Sequence, residues 1–273
     1  RAKRLELRGR CVVVTGGGHG IGRALAEALA ARGAKTVIAD IDPARAGKVA
    51  ARLGGRASEC DVGDPDAVSA LVSEAFSAFG PVAVFCSNAG ITDSRIGLES
   101  SVGQVRRTVD VNLLAHVWAA QAVIPQMLES GGGHLVQTIS SAALITGPSG
   151  PGYTLSKHGA LGFAEWLHLN YSHRGIGVTC LCPNAVNTGM LGRNEDLEDP
   201  GGAPVSSEIV ANLGEIVEPE ECAALTLTAM DEGRFLVLPH PRVGDSFLRK
   251  AQDYDSWLMK TNLRLRRMAG EEI

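Results

Sequence analysis

The chain has 273 residues, 45% hydrophobic and only 4% aromatic, and its 26 Lys and Arg against 30 Asp and Glu leave a net charge of −4. That is enough chain for one sizeable core built on Val, Leu, Ile and Ala. It offers no basic excess to neutralise a nucleic-acid backbone and no run of about 18 apolar residues to cross a membrane.

Short apolar runs alternate with Ala-rich segments of helical period along most of the chain. Residues 11–16 (CVVVTG) predict a buried strand, and 21–32 a helix with Ile21, Leu25, Ala28 and Leu29 on one face. A second strand covers 36–40, a second helix 43–53 begins at a proline, and a third strand ends at Cys60–Asp61. Asp64 before Pro65 caps a helix through residue 79, and 82–90 is a fourth strand with its loop. Then follow a long helical stretch over 101–130, a strand at 134–140, a helix at 153–172 and a strand at 176–182.

Residues 188–215, rich in Gly, Pro, Asp, Glu and Asn, break this rhythm and read as a substrate lid. A helix over 219–231, a strand at 235–239 and an amphipathic tail helix at about 245–268 close the chain. The alternation predicts a single α/β domain spanning 1–273: a doubly wound parallel sheet with helices on both faces. Ligands of such sheets bind beyond the carboxyl ends of the strands, where the strand order reverses. The six cysteines (Cys11, Cys60, Cys86, Cys180, Cys182 and Cys222) form no CxxC pair and have no histidine at ligand spacing. They read as reduced structural residues of a cytoplasmic protein, with no metal site.

Two places carry chemistry. Thr15 to Gly22 (TGGGHGIG) lies between the first strand and the first helix. Glycines there let the backbone turn tightly beside a pyrophosphate, and the helix N-terminus offers free N–H groups to the anion. Asp40 ends the next strand, where a carboxylate accepts from both ribose hydroxyls of NAD and repels the extra phosphate of NADP. No arginine adjoins it in sequence. The second place is Tyr153-Thr154-Leu155-Ser156-Lys157, which puts a phenol and an amine on one helical face. Ser140 and Ser141 end the preceding strand, and Asn112 sits as an amide inside an apolar helical stretch.

With these motifs in order, the chain resembles the classical short-chain dehydrogenase/reductase family over about residues 8–239. TGGGHGIG matches its glycine turn, Ser87-Asn88-Ala89-Gly90 its NNAG segment and Asp61-Val62 its adenine-side pair. Asn112, Ser141, Tyr153 and Lys157 fall in order onto its catalytic tetrad, and Pro183 to Thr188 onto its nicotinamide loop. The resemblance implies a Rossmann-like fold and a homo-oligomer, dimer or tetramer, joined through the helices at 101–130 and 153–172. It places the cofactor NAD on Gly16, Gly18, His19, Gly20, Ile21, Gly22, Asp40, Asp61, Val62, Asn88, Ala89, Gly90, Tyr153, Lys157, Pro183, Val186 and Thr188.

The expected reaction is hydride transfer between NAD(H) and an apolar secondary alcohol or ketone. In it Tyr153 is the acid/base, Lys157 holds the ribose and promotes the phenolate, Ser141 binds the substrate oxygen and Asn112 orders a water chain. Ser141 lies twelve residues before Tyr153 and Ser140 thirteen, which leaves both serines in view. Asn184 replaces the usual glycine after Pro183, and Leu144 and Ile145 read equally as substrate contacts or as a hydrophobic patch at a dimer edge. Two other readings compete: an NADP(H)-dependent biosynthetic ketone reductase, and a non-catalytic dinucleotide sensor acting through its tail.

Overall fold

The computed structural model describes residues 5–92, 98–191, 214–268 and 270–271. Seven parallel strands form one sheet in the order β3-β2-β1-β4-β5-β6-β7. They are β1 (Cys11–Thr15), β2 (Lys35–Asp40), β3 (Arg56–Glu59), β4 (Val82–Ser87), β5 (Gly133–Thr138), β6 (Ile176–Leu181) and β7 (Leu236–Val237). Every residue of β1 and β4 is buried, as expected of central strands covered on both faces. Edge strand β3 (RASE) carries no fully buried residue.

Helices α1 (Gly20–Ala31), α2 (Pro43–Leu53) and α7 (Pro219–Glu232) bury Leu25, Leu29, Val49 and Leu227 against one face. Helices α3 (Pro65–Phe79), α5 (Ala115–Glu129) and α6 (Pro151–Tyr171) cover the other, over Phe85, Leu71, Met127 and Leu167, and α4 (Val102–Val109) packs on α6. Local chemistry sets their ends. Asp42 caps α2 by accepting from the N–H groups of Ala44 and Arg45, and Gly54 ends it at φ +65°. Asp64 caps α3 by accepting from Asp66 N–H, and Ser101 and Gln104 close a capping box on α4. The strand order reverses between β1 and β4, so the crevice for a ligand opens at their carboxyl ends.

Three elements differ from expectation. The stretch 101–130 is helical, but α4 and α5 are separated by a π-turn at Asp110–Leu114. The last strand keeps two residues, although the carbonyls of Phe235 and Val237 still pair with the N–H groups of Cys180 and Cys182. Pro239 and Pro241 have no N–H to carry the ladder further. The tail is two helices, α8 (Pro241–Gln252) and α9 (Tyr254–Met268), parted at Asp253, whose φ of −149° is extended. Most of the expected lid, 192–213, lies outside the described residues. Its stem is visible: Val186 bridges Val217, and Asn187 N–H donates to Val217 O at 2.9 Å. All six cysteines are buried and unpaired. Among the described residues no helix is long and apolar enough to cross a membrane, and no cluster of three metal-ligating side chains exists.

Candidate active site

The glycine turn is shaped by close approach. A Cβ on Gly22 would stand 2.1 Å from Gly16 O and 2.5 Å from Asn88 Nδ2, so helix α1 packs on the turn only because Gly22 has no side chain. Gly16 and Gly20 adopt φ of +60° and +51°. His19 is the N-cap of α1 yet supplies no side-chain cap, which leaves the first N–H groups of the helix to an anion. Thr188, from the loop after β6, lies over Gly20, its Cγ2 3.0 Å from where a Cβ would sit. These features fit a pyrophosphate.

Asn88 and Thr15 lock the turn to β4. Thr15 Oγ1 accepts from the N–H groups of Asn88 (3.0 Å) and Ala89 (3.2 Å), and Asn88 Nδ2 donates to Thr15 O at 3.1 Å. Thr15 is a positioning residue; sequence reading named it as the first residue of the glycine turn but gave it no role of its own. Its signal was faint, a single hydroxyl at the end of an apolar strand.

Asp40 ends β2, 5% exposed, with Oδ2 accepting from Gly18 N–H at 2.9 Å and Oδ1 from Asp42 N–H at 3.1 Å. The fold also brings in a cation that sequence adjacency did not reveal. Arg45 Cβ lies 2.8 Å from where a Gly18 Cβ would be, and its Nε pairs with Asp42 at 3.1 Å. Asp61 is engaged too, by Arg107 at 2.8 Å and by Gly63 N–H at 2.8 Å. Val62 is buried nearby and lines a small cavity with Thr15, Ser87, Ala89 and His116.

The residues expected to carry the chemistry gather at the ends of β4, β5 and β6. Asn112 sits in the π-turn, fully buried; its Oδ1 accepts from Ile91 N–H and its Nδ2 donates to Ile91 O, each at 2.8 Å. Such turns insert one residue into a helix and re-aim a side chain. A Cβ on Gly90 would stand 3.3 Å from Asn112 Oδ1 and 3.6 Å from Lys157 Nζ, so Gly90 leaves room for both. Lys157 Nζ is buried, reaches Thr138 O at 3.5 Å and lies 5.6 Å from the Tyr153 ring centre. Burial pulls its pKa down to about 8. Burial pushes the Tyr153 phenol above its ordinary range, and a hydrogen bond with the Ser140 hydroxyl works the other way.

The two serines therefore have different partners. Ser140 meets the phenol, whereas Ser141 Oγ donates to Asn184 Oδ1 at 3.1 Å. The Ser141 N–H donates to Pro183 O at 2.8 Å, which ties the loop after β6 to the serine turn. Below lies His116, neutral because burial pulls it to about 3, with Nδ1 hydrogen-bonded to Gln137 Oε1. Leu144 is 3% exposed and packs into the core, and Ile145 is only partly buried. His158 bonds to Thr154 O on its own helix.

This geometry has relatives. The family profile described as short chain dehydrogenase matches residues 10–199, more than half of the chain. The chain is a short-chain dehydrogenase. It is 32% identical over 92% of its length to 1-deoxy-11-beta-hydroxypentalenate dehydrogenase of Streptomyces exfoliatus, covering 89% of that protein. It is 34% identical over 85% of its length to 2,5-dichloro-2,5-cyclohexadiene-1,4-diol dehydrogenase of Sphingobium indicum, covering 94% of it. Among solved structures, a short chain dehydrogenase/reductase from Burkholderia phymatum in complex with NAD superposes with a TM-score of 0.80 at 30% identity, over 92% of this chain and 96% of that one. The chain is thus an oxidoreductase of this family, built on the family's Rossmann-like single sheet and served by a nicotinamide dinucleotide.

Proposed function

We propose that this short-chain dehydrogenase oxidises an apolar secondary alcohol to a ketone with NAD, reversibly. One observation carries the reading: Tyr153, Lys157, Asn112 and the serine pair converge at the strand ends beside a glycine turn whose helix N-terminus is uncapped. Ring alcohols are the first substrates to test, because a relative of 34% identity is named for a cyclohexadiene diol. Gly16, Gly18, His19, Gly20, Ile21 and Gly22 would hold the pyrophosphate; Asp40, Asp61 and Val62 the adenosine; Asn88, Ala89, Gly90, Pro183, Val186 and Thr188 the nicotinamide half. The bound cofactor supplies the hydride acceptor. Lys157 favours the phenolate and would hold the ribose, Tyr153 Oη as phenolate takes the hydroxyl proton, Ser141 donates to the substrate oxygen, and Asn112 anchors the path by which the proton leaves.

The serines should separate in experiment. Ser140→Ala removes the bond that favours phenolate, so the rising limb of the alcohol-oxidation pH profile moves to higher pH. Ser141→Ala lowers kcat and leaves that limb in place. Profiles of kcat against pH for the two variants check both; a larger kcat loss in Ser140→Ala would transfer the substrate-binding role to Ser140.

The NAD preference rests on Asp40. Its buried carboxylate ends β2 beside the glycine turn, where it would repel an extra phosphate, and Arg45 beside it is already paired with Asp42. Asp40→Ala removes the repulsion and leaves Arg45 nearby, so the NAD/NADP ratio of kcat/KM should fall about tenfold, worth ~1.4 kcal/mol. An unchanged ratio in the purified variant sinks the assignment. We also propose a cytoplasmic homo-oligomer, dimer or tetramer, which the unpaired thiols and the exposed Leu155, Trp166 and Leu169 of α6 support.

A further inference from the structure

Asn184 stands directly after Pro183, and its side chain accepts from Ser141 Oγ at 3.1 Å. Its own N–H donates to His240 Nδ1 at 3.1 Å. Since Nδ1 accepts there, the proton of the neutral ring sits on Nε2, which lies 3.1 Å from both Ala185 O and Glu215 O. His240 is 5% exposed and bracketed on both edges, so its ring cannot turn without losing these bonds. It is the N-cap residue of α8. From the same helix, Lys250 donates to Leu144 O at 2.8 Å, with the Tyr254 and Trp257 rings 5.3 and 5.2 Å from its ammonium. Leu144 closes the short turn that begins at Ser141. The C-terminal segment thus grips both sides of the serine: His240 holds Asn184, and Lys250 holds the serine's own turn.

We propose that Asn184 is the positioning residue of the Ser141 hydroxyl, and that His240 fixes Asn184 for this task. A hydroxyl has one proton. To bind the substrate oxygen as charge develops, Ser141 must donate that proton, and its oxygen then needs a donor behind it. An amide carries an acceptor and a donor on one carbon. With Oδ1 toward Ser141 the serine proton rests on the amide; a half-turn of the amide presents Nδ2–H to Oγ and frees the proton for substrate. A carboxylate offers only acceptors and holds the proton back. This inference rests on the reading of Ser141 as the substrate-facing hydroxyl.

The test is steady-state oxidation of cyclohexanol with NAD by Asn184→Asp and Asn184→Gly, each also made in Ser141→Ala. Asn184→Asp should lower kcat by about tenfold or more, up to the roughly 10²–10³-fold that losing one donor at a developing charge costs, with the KM for NAD unchanged. Asn184→Gly, which keeps the main-chain bond to His240, should lower kcat by less, and it carries the test if the Asp variant does not fold. In Ser141→Ala neither change should cost anything further, a coupling that a merely structural role does not produce. His240→Ala should show the same coupling. Wild-type kcat in both Asn184 variants, or an equal loss with and without the serine hydroxyl, overturns the proposal. A wild-type protein that oxidises no alcohol with either cofactor overturns the activity reading itself, and this inference with it.

Discussion

Tyr153→Phe is expected to lower kcat for alcohol oxidation by about 10²–10⁴-fold, the usual contribution of a positioned acid/base, while cofactor binding persists. Phenylalanine keeps the ring that lies 5.6 Å from the Lys157 ammonium and removes only the oxygen that exchanges the proton. The pKa directions explain why that oxygen needs help. In the free protein burial pushes the phenol up and pulls Lys157 down to about 8, so both groups favour neutrality. An oxidised nicotinamide bound beside them would add a positive charge that, with the Lys157 ammonium, favours the phenolate. Oxidation should therefore speed up as pH rises through the phenol's value in the complex, and ketone reduction, which needs the protonated phenol, should slow over the same interval. Initial rates in both directions across pH check the sign, and NADH binding followed by fluorescence checks that Tyr153→Phe still holds cofactor. Substantial turnover in Tyr153→Phe would remove the phenol from the chemistry.

Gly22→Ala has the second largest expected effect, on stability and cofactor affinity together. Its Cβ would meet Gly16 O at 2.1 Å and Asn88 Nδ2 at 2.5 Å, and neither can retreat freely. Gly16 O belongs to the turn backbone, and Asn88 is bound to Thr15. Helix α1 must back away from the turn that it completes. We expect a loss of about 2 kcal/mol, typical of overpacking, and a fall in Tm of roughly 4–8 °C for a domain of this size. The Kd for NAD should rise about tenfold or more, because the helix N-terminus no longer faces the pyrophosphate. Gly47→Ala in α2 is the control: nothing lies within 4 Å of its Cβ, so Tm should hold or rise slightly. Equal behaviour of the two variants in thermal unfolding would show that the close packing at Gly22 is unimportant.

Much of this was legible in the sequence because it is local. Apolar runs separated by helical periods gave the strand positions within a residue or two. Pro43 and the Asp64–Pro65 pair marked helix starts, and the glycine turn, Asp40 and the Tyr153–Lys157 pair each lie within a few residues of one another or of a strand end. What stayed hidden is non-local. The π-turn that aims Asn112 inserts one residue into an otherwise continuous helical pattern, which periodicity cannot register. Arg107 meets Asp61 across 46 positions, Ser141 meets Asn184 across 43 and His240 meets Asn184 across 56. Arg45 is only five residues beyond Asp40, yet it comes close because α2 folds back over the glycine turn. The serine pair shows the limit most clearly. Spacing could not decide between neighbours, whereas the backbone after β5 sends one hydroxyl to Tyr153 and the other to Asn184.

The central claim is that these residues oxidise an alcohol at a nicotinamide. The most direct test is NADH or NADPH formation by the wild-type protein from NAD and from NADP, against secondary alcohols from small aliphatic through cyclohexanol to sterol-sized. The account predicts turnover with at least one ring alcohol, faster with NAD. Saturable NAD binding with no turnover on any alcohol would contradict it and favour a dinucleotide-sensing role; turnover confined to NADP would favour a biosynthetic ketone reductase.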